Sequence, residues 1–112
     1  MRHASVRSLV VLVLLVGVTA CGDARLKKLS LGIDRDSVAV LMGTDQPDRS
    51  AGYLLDGKFL EVFYYAPRGK SLSDSAGVRE YSPVILADGS VVGWGWDYWG
   101  READRLKVDL TQ

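Results

Sequence analysis

The sequence predicts a small α+β domain: two short N-terminal helices packed on one face of a small antiparallel sheet made of two hairpins. Two patterns carry that expectation. Apolar residues recur at helical spacing as far as Gly43, and after Tyr53 the pattern changes to alternation around two Asp-Gly turns. Size is the third observation: 112 residues leave room for one domain at most, with no repeat or low-complexity stretch.

The stretch DARLKKLS, Asp23 to Ser30, is polar with Leu26 and Leu29 three apart, a short helix or tether. Its Arg25, Lys27 and Lys28 read first as a solvated face and second as a contact for anionic headgroups. Gly32 is suited to end this segment in a left-handed conformation. Asp34 caps a second helix, because its carboxylate accepts amide hydrogens that the first turn leaves without partners. Ile33 and Val38 form a hydrophobic staple across that cap. Val38, Leu41 and Met42 share a face, and Gly43 stops the helix.

Tyr53 to Ala66, YLLDGKFLEVFYYA, is the first hairpin, turning on Asp56-Gly57. Tyr53 then faces Leu60, on the side of Val62 and Tyr64. Leu54 faces Phe59, on the side of Glu61, Phe63 and Tyr65, and Glu61 marks that side as the wetter one. Residues 67–80 form a long polar loop. Pro83 to Asp97, PVILADGSVVGWGWD, is the second hairpin, turning on Asp88-Gly89, with Leu86 opposite Val91 and Ile85 opposite Val92. Trp94, Trp96 and Tyr98 alternate with Gly93, Gly95 and Asp97, so the three aromatics project from one side. The glycines leave the other side bare for a helix or a ring to approach. From Trp99 onward, READRLKVDL fits either a final helical turn or an edge strand on Leu106, Val108 and Leu110.

The N-terminus reads differently. Leu9 to Val18, LVVLVLLVGV, is uncharged and shorter than the roughly 20 apolar residues that span a bilayer. Arg2, His3 and Arg7 precede it, and Val18-Thr19-Ala20-Cys21 follows. A basic start, a short apolar middle and a small-residue exit mark a secretory leader. A buried helix is the weaker reading, since Val and Leu would lie all round it. Val18-Thr19-Ala20-Cys21 resembles the lipobox of bacterial lipoproteins, with Val where Leu is commoner. The resemblance implies cleavage between Ala20 and Cys21, a diacylglycerol thioether on the Cys21 thiol, and acylation of the new amine by a fatty acid such as palmitate. Gly22, rather than Asp, implies sorting to the outer membrane, on its periplasmic face. The expected division is a leader over 1–20, a lipidated tether and short helix over 21–31, and the α+β domain over 32–112.

A second resemblance lies in Gly32-Ile33-Asp34, Val38, Leu41-Met42-Gly43 and Pro47, which is similar to the G-x-T-x-x-x-V-x-x-x-L-G-x-P pattern of the SmpA/OmlA (BamE-like) lipoprotein family. Asp34 stands where that pattern has Thr, and two extra residues separate Gly43 from Pro47. The resemblance implies two helices on a three-stranded antiparallel sheet, a fold related to the beta-lactamase-inhibitor protein, and an accessory role in outer-membrane barrel assembly. The later VFYYA…PVILADGSVVGWGW stretch resembles small proteobacterial lipoproteins of unknown function.

Charge and chemistry narrow the function. Acidic and basic residues balance at 14 each, without the basic surplus a nucleic-acid partner requires. Removing the leader leaves 12 basic and 14 acidic residues, a net charge of −2, and takes away His3, the only histidine. The mature chain therefore lacks an imidazole base for nucleophilic catalysis and the ligand types of a zinc site. Asp34/Asp36 and Asp45/Asp48 read as cap and turn residues before they read as metal ligands. Glu61 reads as a polar-face residue before a general acid. No enzyme, metal or cofactor is expected.

The aromatics remain. Phe59, Phe63, Tyr65, Trp94, Trp96 and Tyr98 are the candidate partner-binding residues, on a sheet face that one-sided helices would leave open; the plainer reading makes them core. The expected function is a lipid-anchored envelope module that binds or scaffolds, held to the membrane by Cys21 and docking an envelope protein. The alternatives are a module stacking glycan or peptidoglycan fragments on tryptophan, a carboxylate-dependent hydrolase, and an envelope stabiliser without a specific partner site.

Overall fold

The computed structural model describes residues 23–68 and 70–110; Ala20, Cys21 and the leader lie outside the described residues. The chain begins with a 3-10 turn, Ala24–Lys28. Helix α1 follows at Arg35–Met42, then strands β1 (Arg49–Leu55) and β2 (Lys58–Tyr65). After a 3-10 turn at Val78–Glu80 come β3 (Ser82–Ala87), β4 (Ser90–Trp94) and helix α2 (Gly95–Leu106). The four strands form one antiparallel sheet in the order β1-β2-β3-β4, so the fold is α+β and the sheet consists of two consecutive hairpins.

Local chemistry explains most of these elements. Asp34 accepts a hydrogen bond from the Ser37 amide at 2.9 Å, and Gly43 ends α1 in the left-handed region. Both hairpin turns place Asp and Gly at positive φ, Asp56-Gly57 and Asp88-Gly89, the combination that matches strand twist in a two-residue turn. The first hairpin pairs as expected, Tyr53 with Leu60 and Leu54 with Phe59. In the second, Leu86 pairs with Val91, but Ile85 pairs with Gly93 rather than Val92. A bulge between Ile85 and Leu86 inserts one residue.

Two expectations are corrected by helix placement. The first N-terminal helix is only a five-residue 3-10 turn, ending well before Gly32. The strand at the end of the chain stops at Trp94, and residues 95–106 are helical, so Trp96 and Tyr98 project from α2 and not from the sheet. The two α-helices consequently lie on opposite faces. One face carries Val62, Tyr64 and Ile85 against Trp99 and Ala103 of α2. The other carries Tyr65, Val84, Leu86 and Val91 against Leu29, Val38 and Met42. Gly32 and Ile33 run beside β4, where the Gly32 amide donates to Val91 O and the Val91 amide to Ile33 O, so that edge is covered by the chain itself. What stays open is the second face over β1, where Ser50, Gly52 and Leu54 are exposed, Leu54 by 78%.

The two glycines around Trp94 do different work. A Cβ on Gly93 would lie 2.5 Å from the Tyr98 ring, so only glycine lets that ring rest on β4. Gly95 has φ +81, which turns the chain from strand into helix.

Candidate functional site

The six aromatic candidates do not form one patch. Phe63, Tyr65 and Trp94 belong to the cluster under α1. Tyr65 is buried, which pushes its hydroxyl up to about 12. Phe59, 43% exposed, lies over Gly52 at the rim of that face. Tyr98 covers Gly93 on the opposite face. Trp96 lies between the core and the Arg79 guanidinium.

The arrangement around Trp96 is layered. Its ring stacks on Tyr64 with centroids 6.1 Å apart and an angle of 24° between planes. Its Nε1–H donates to the Tyr81 carbonyl at 2.7 Å. The Arg79 guanidinium lies 4.7 Å over the ring, and Arg49 lies 4.9 Å over Tyr81 while donating to the Asp74 carbonyl at 2.9 Å. Each contact is of the cation–π type, which orients a guanidinium without neutralising it. Neither arginine forms an ion pair among the described residues. Both border an open groove of about 460 Å³ floored by Ala76, Val78 and Leu110, with Asp74 as the one acid on its wall. Position in sequence gave little sign of this groove, because Arg49, Arg79 and Leu110 come from three separate parts of the chain.

A second cavity, about 440 Å³, lies between the end of α1 and the segment after β2. It is built around Arg25. That side chain donates to Met42 O at 2.9 Å, to Ala66 O at 2.7 Å and to the Asp23 carboxylate at 2.7 Å. Asp23 in turn accepts from the Arg25 amide and from the Ser82 hydroxyl, and its side chain is 3% exposed. Lys28, Arg68 and Lys70 border the cavity, with Asp48 opposite, whose carboxylate accepts from the Ala66 amide.

Burial alone would raise the Asp23 pKa, but the hydrogen bonds and charge of Arg25 outweigh it and hold the carboxyl below its usual value. A depressed native pKa means that this contact stabilises the fold above the unfolded aspartate value, about 3.9, and that the contribution is lost as pH falls through the lower native value. Acidification below about pH 4 should therefore free the 24–28 turn before the sheet opens. Faster amide exchange at Arg25 and Leu26, with pH dependence removed by Asp23→Asn, is the expected result; exchange that stays flat with pH would contradict it.

Three of the carboxylates considered for catalysis or metal binding have other partners. Glu61 pairs with Arg35, Asp34 caps α1, and Asp48 holds Ala66. Among the described residues no group of three or more His, Cys, Asp or Glu side chains is placed to hold a metal, and no helix is long and apolar enough to cross a membrane.

Comparison with known families adds one decisive observation. A family described as protein of unknown function (DUF3192) matches residues 19–100. The chain belongs to the DUF3192 family. The DUF3192 match takes in Cys21, the Arg25 cavity, both hairpins and the first half of α2, so the Trp96 stack and the Gly93-Trp94-Gly95 turn lie within the family's span. No curated protein and no solved structure matches the chain.

Proposed function

We propose that this chain is a lipid-anchored module of the bacterial cell envelope that binds or scaffolds an envelope protein, without catalysis of its own. The observation that carries the reading is the position of Cys21. It follows a basic, apolar and small-residue leader, resembles a lipobox cysteine, and stands two residues before Asp23, where the folded domain begins. Several acyl chains there would hold a small domain stably, where one chain binds only marginally. Periplasmic residence on the outer membrane rests on Gly22.

The partner surface assigned to this module is the groove bordered by Arg49 and Arg79, beside the Trp96 stack. Aromatic and arginine side chains dominate protein interfaces, and here they are already oriented. Tyr64 and Arg79 already lie against the Trp96 ring. That geometry favours docking of a protein over stacking of a sugar ring. Kinship with the SmpA/OmlA domain is proposed for the Gly32–Pro47 segment, where Asp34, Val38 and Gly43 act as cap, core and stop. The helix on the opposite face sets this domain apart from two helices on one side.

The test is made on protein from the native host. Intact mass should show cleavage before Cys21 and added acyl groups, and Cys21→Ser should abolish both. A photocrosslinker at position 79 should capture an envelope protein that one at position 58, at the turn end of the first hairpin, does not. An unmodified full-length chain would refute the anchor; identical capture from both positions would refute the groove.

A further inference from the structure

We propose that the Arg25 cavity receives the phosphate of an anionic phospholipid headgroup and thereby stands the domain end-on upon the membrane. The inference rests on the lipid-anchor reading of Cys21 and adds to it a second, specific contact.

Reach is the first argument. Two residues extend at most about 7 Å, and Asp23 is fixed in the domain by Arg25 and Ser82. The acylated cysteine is therefore held within about that distance of Asp23, whose partner Arg25 lines the cavity. A domain on so short a leash cannot tumble above the bilayer. Its nearest surface must lie at headgroup level, and that surface is the end of the fold where α1 finishes, β2 finishes and β3 begins.

Charge is the second. Arg25 is neutralised by Asp23 and saturated by two carbonyls, so it shapes the cavity without supplying free charge. Lys28, Arg68 and Lys70 are exposed at its border and form no ion pair among the described residues, while Asp48 is the one acid on the wall. Lys27 is exposed on the same 3-10 turn as Lys28. Of the nine cations without an ion pair among the described residues, four, Lys27, Lys28, Arg68 and Lys70, lie at this end beside the anchor, in a domain whose mature charge is −2. The C-terminal end of α1 carries partial negative charge, which draws cations and repels a phosphate, so the anion is held by Lys28, Arg68 and Lys70 and not by the helix end.

The strands then point away from the bilayer. β2 has eight residues, about 26 Å of extended chain, so the turns at Asp56-Gly57 and Asp88-Gly89 mark the distal end.

The experiment compares the processed lipoprotein, its acylation verified by mass, in nanodiscs of pure phosphatidylcholine and of an equal mixture with phosphatidylglycerol. Amide exchange at 25–28, 66 and 68 should slow on the order of tenfold in the mixed discs only. Three cations near an anionic surface together favour contact by on the order of a hundredfold. The triple variant K28E/R68E/K70E should abolish the difference, with exchange at Val62 and Ile85 unchanged as the folding control. Equal protection in both discs, or protection that survives in the variant, overturns the proposal. Protection reproduced by inorganic phosphate with phosphatidylcholine discs also overturns it, since the cavity would then be a free-phosphate site. An unacylated Cys21 would refute the anchor separately; co-flotation with vesicles of the two compositions would still decide the cavity.

Discussion

Trp99→Ala should leave little folded protein at room temperature. Trp99 is the largest side chain with no exposed surface, and it sits at the centre of the face between β2, β3 and α2. Its ring packs 6.2 Å from Tyr53, and its Nε1–H donates to the Tyr64 hydroxyl at 3.0 Å within the core. Truncation removes the ring, opens a cavity and strips the Tyr64 hydroxyl of its donor. Tryptophan-to-alanine changes in cores cost about 3–5 kcal/mol, and whole domains are stable by only about 5–15 kcal/mol. A domain of this size belongs toward the lower end. Urea unfolding, read from Trp94 and Trp96 fluorescence, should show the midpoint collapsing. Trp99→Phe keeps most of the volume and loses the hydrogen bond, so it should cost less, about 1–3 kcal/mol. A loss below about 1 kcal/mol for the alanine variant would mean that α2 does not pack as described.

Gly93→Ala is the second large effect, and it comes from adding a single carbon. A Cβ at this position would stand 2.5 Å from Cδ2 and Cε2 of Tyr98 and 2.7 Å from Cγ. The ring is not a flexible tip. It is held close to its own backbone, one turn into α2, and cannot withdraw without moving the helix start. Overpacking of this kind costs about 1–3 kcal/mol. The decisive measurement is the double-mutant cycle with Tyr98→Ala. Removing the ring should reduce the cost of the added methyl to near zero, giving a coupling of at least about 1 kcal/mol. Additive costs would show that the two residues do not touch.

The hairpins were legible because their signals are local. An Asp-Gly pair between alternating segments specifies turn, register and facing residues together, and Tyr53–Leu60, Leu54–Phe59 and Leu86–Val91 all pair as read. The cap at Asp34 and the stop at Gly43 are local in the same sense. The bulge beside Ile85 was not legible, since one inserted residue leaves no mark in the alternation. The final helix was obscured by two superimposed periods. Trp94, Trp96 and Tyr98 alternate like a strand, while Trp96, Trp99, Ala103 and Leu106 recur at helical spacing and all pack on the first face. The longer period won, because Gly95 turns the chain at φ +81 and only the helical set buries Trp99.

The same misreading spread to the candidate site. A strand reading of Trp96 puts it beside Phe59, Phe63 and Tyr65, which lie on the other face or at its rim. Its actual companions are Tyr64, Arg79 and the Tyr81 carbonyl. Two of these belong to the stretch between β2 and β3, whose polar composition hides that Ala76 and Tyr81 are core residues. Arg25 was read for its charge alone. Nothing in DARLKKLS announces that its guanidinium closes three separate parts of the chain.

That closure has a mechanical meaning. Because Asp23 and Arg25 grip Met42, Ala66 and Ser82 together, tension applied at the N-terminus is shared at once among a helix end and two neighbouring strands. Such a joint resists in shear, as a rivet does, instead of peeling one element at a time. A tug along the chain meets resistance at the Asp23–Arg25 joint before it reaches any strand.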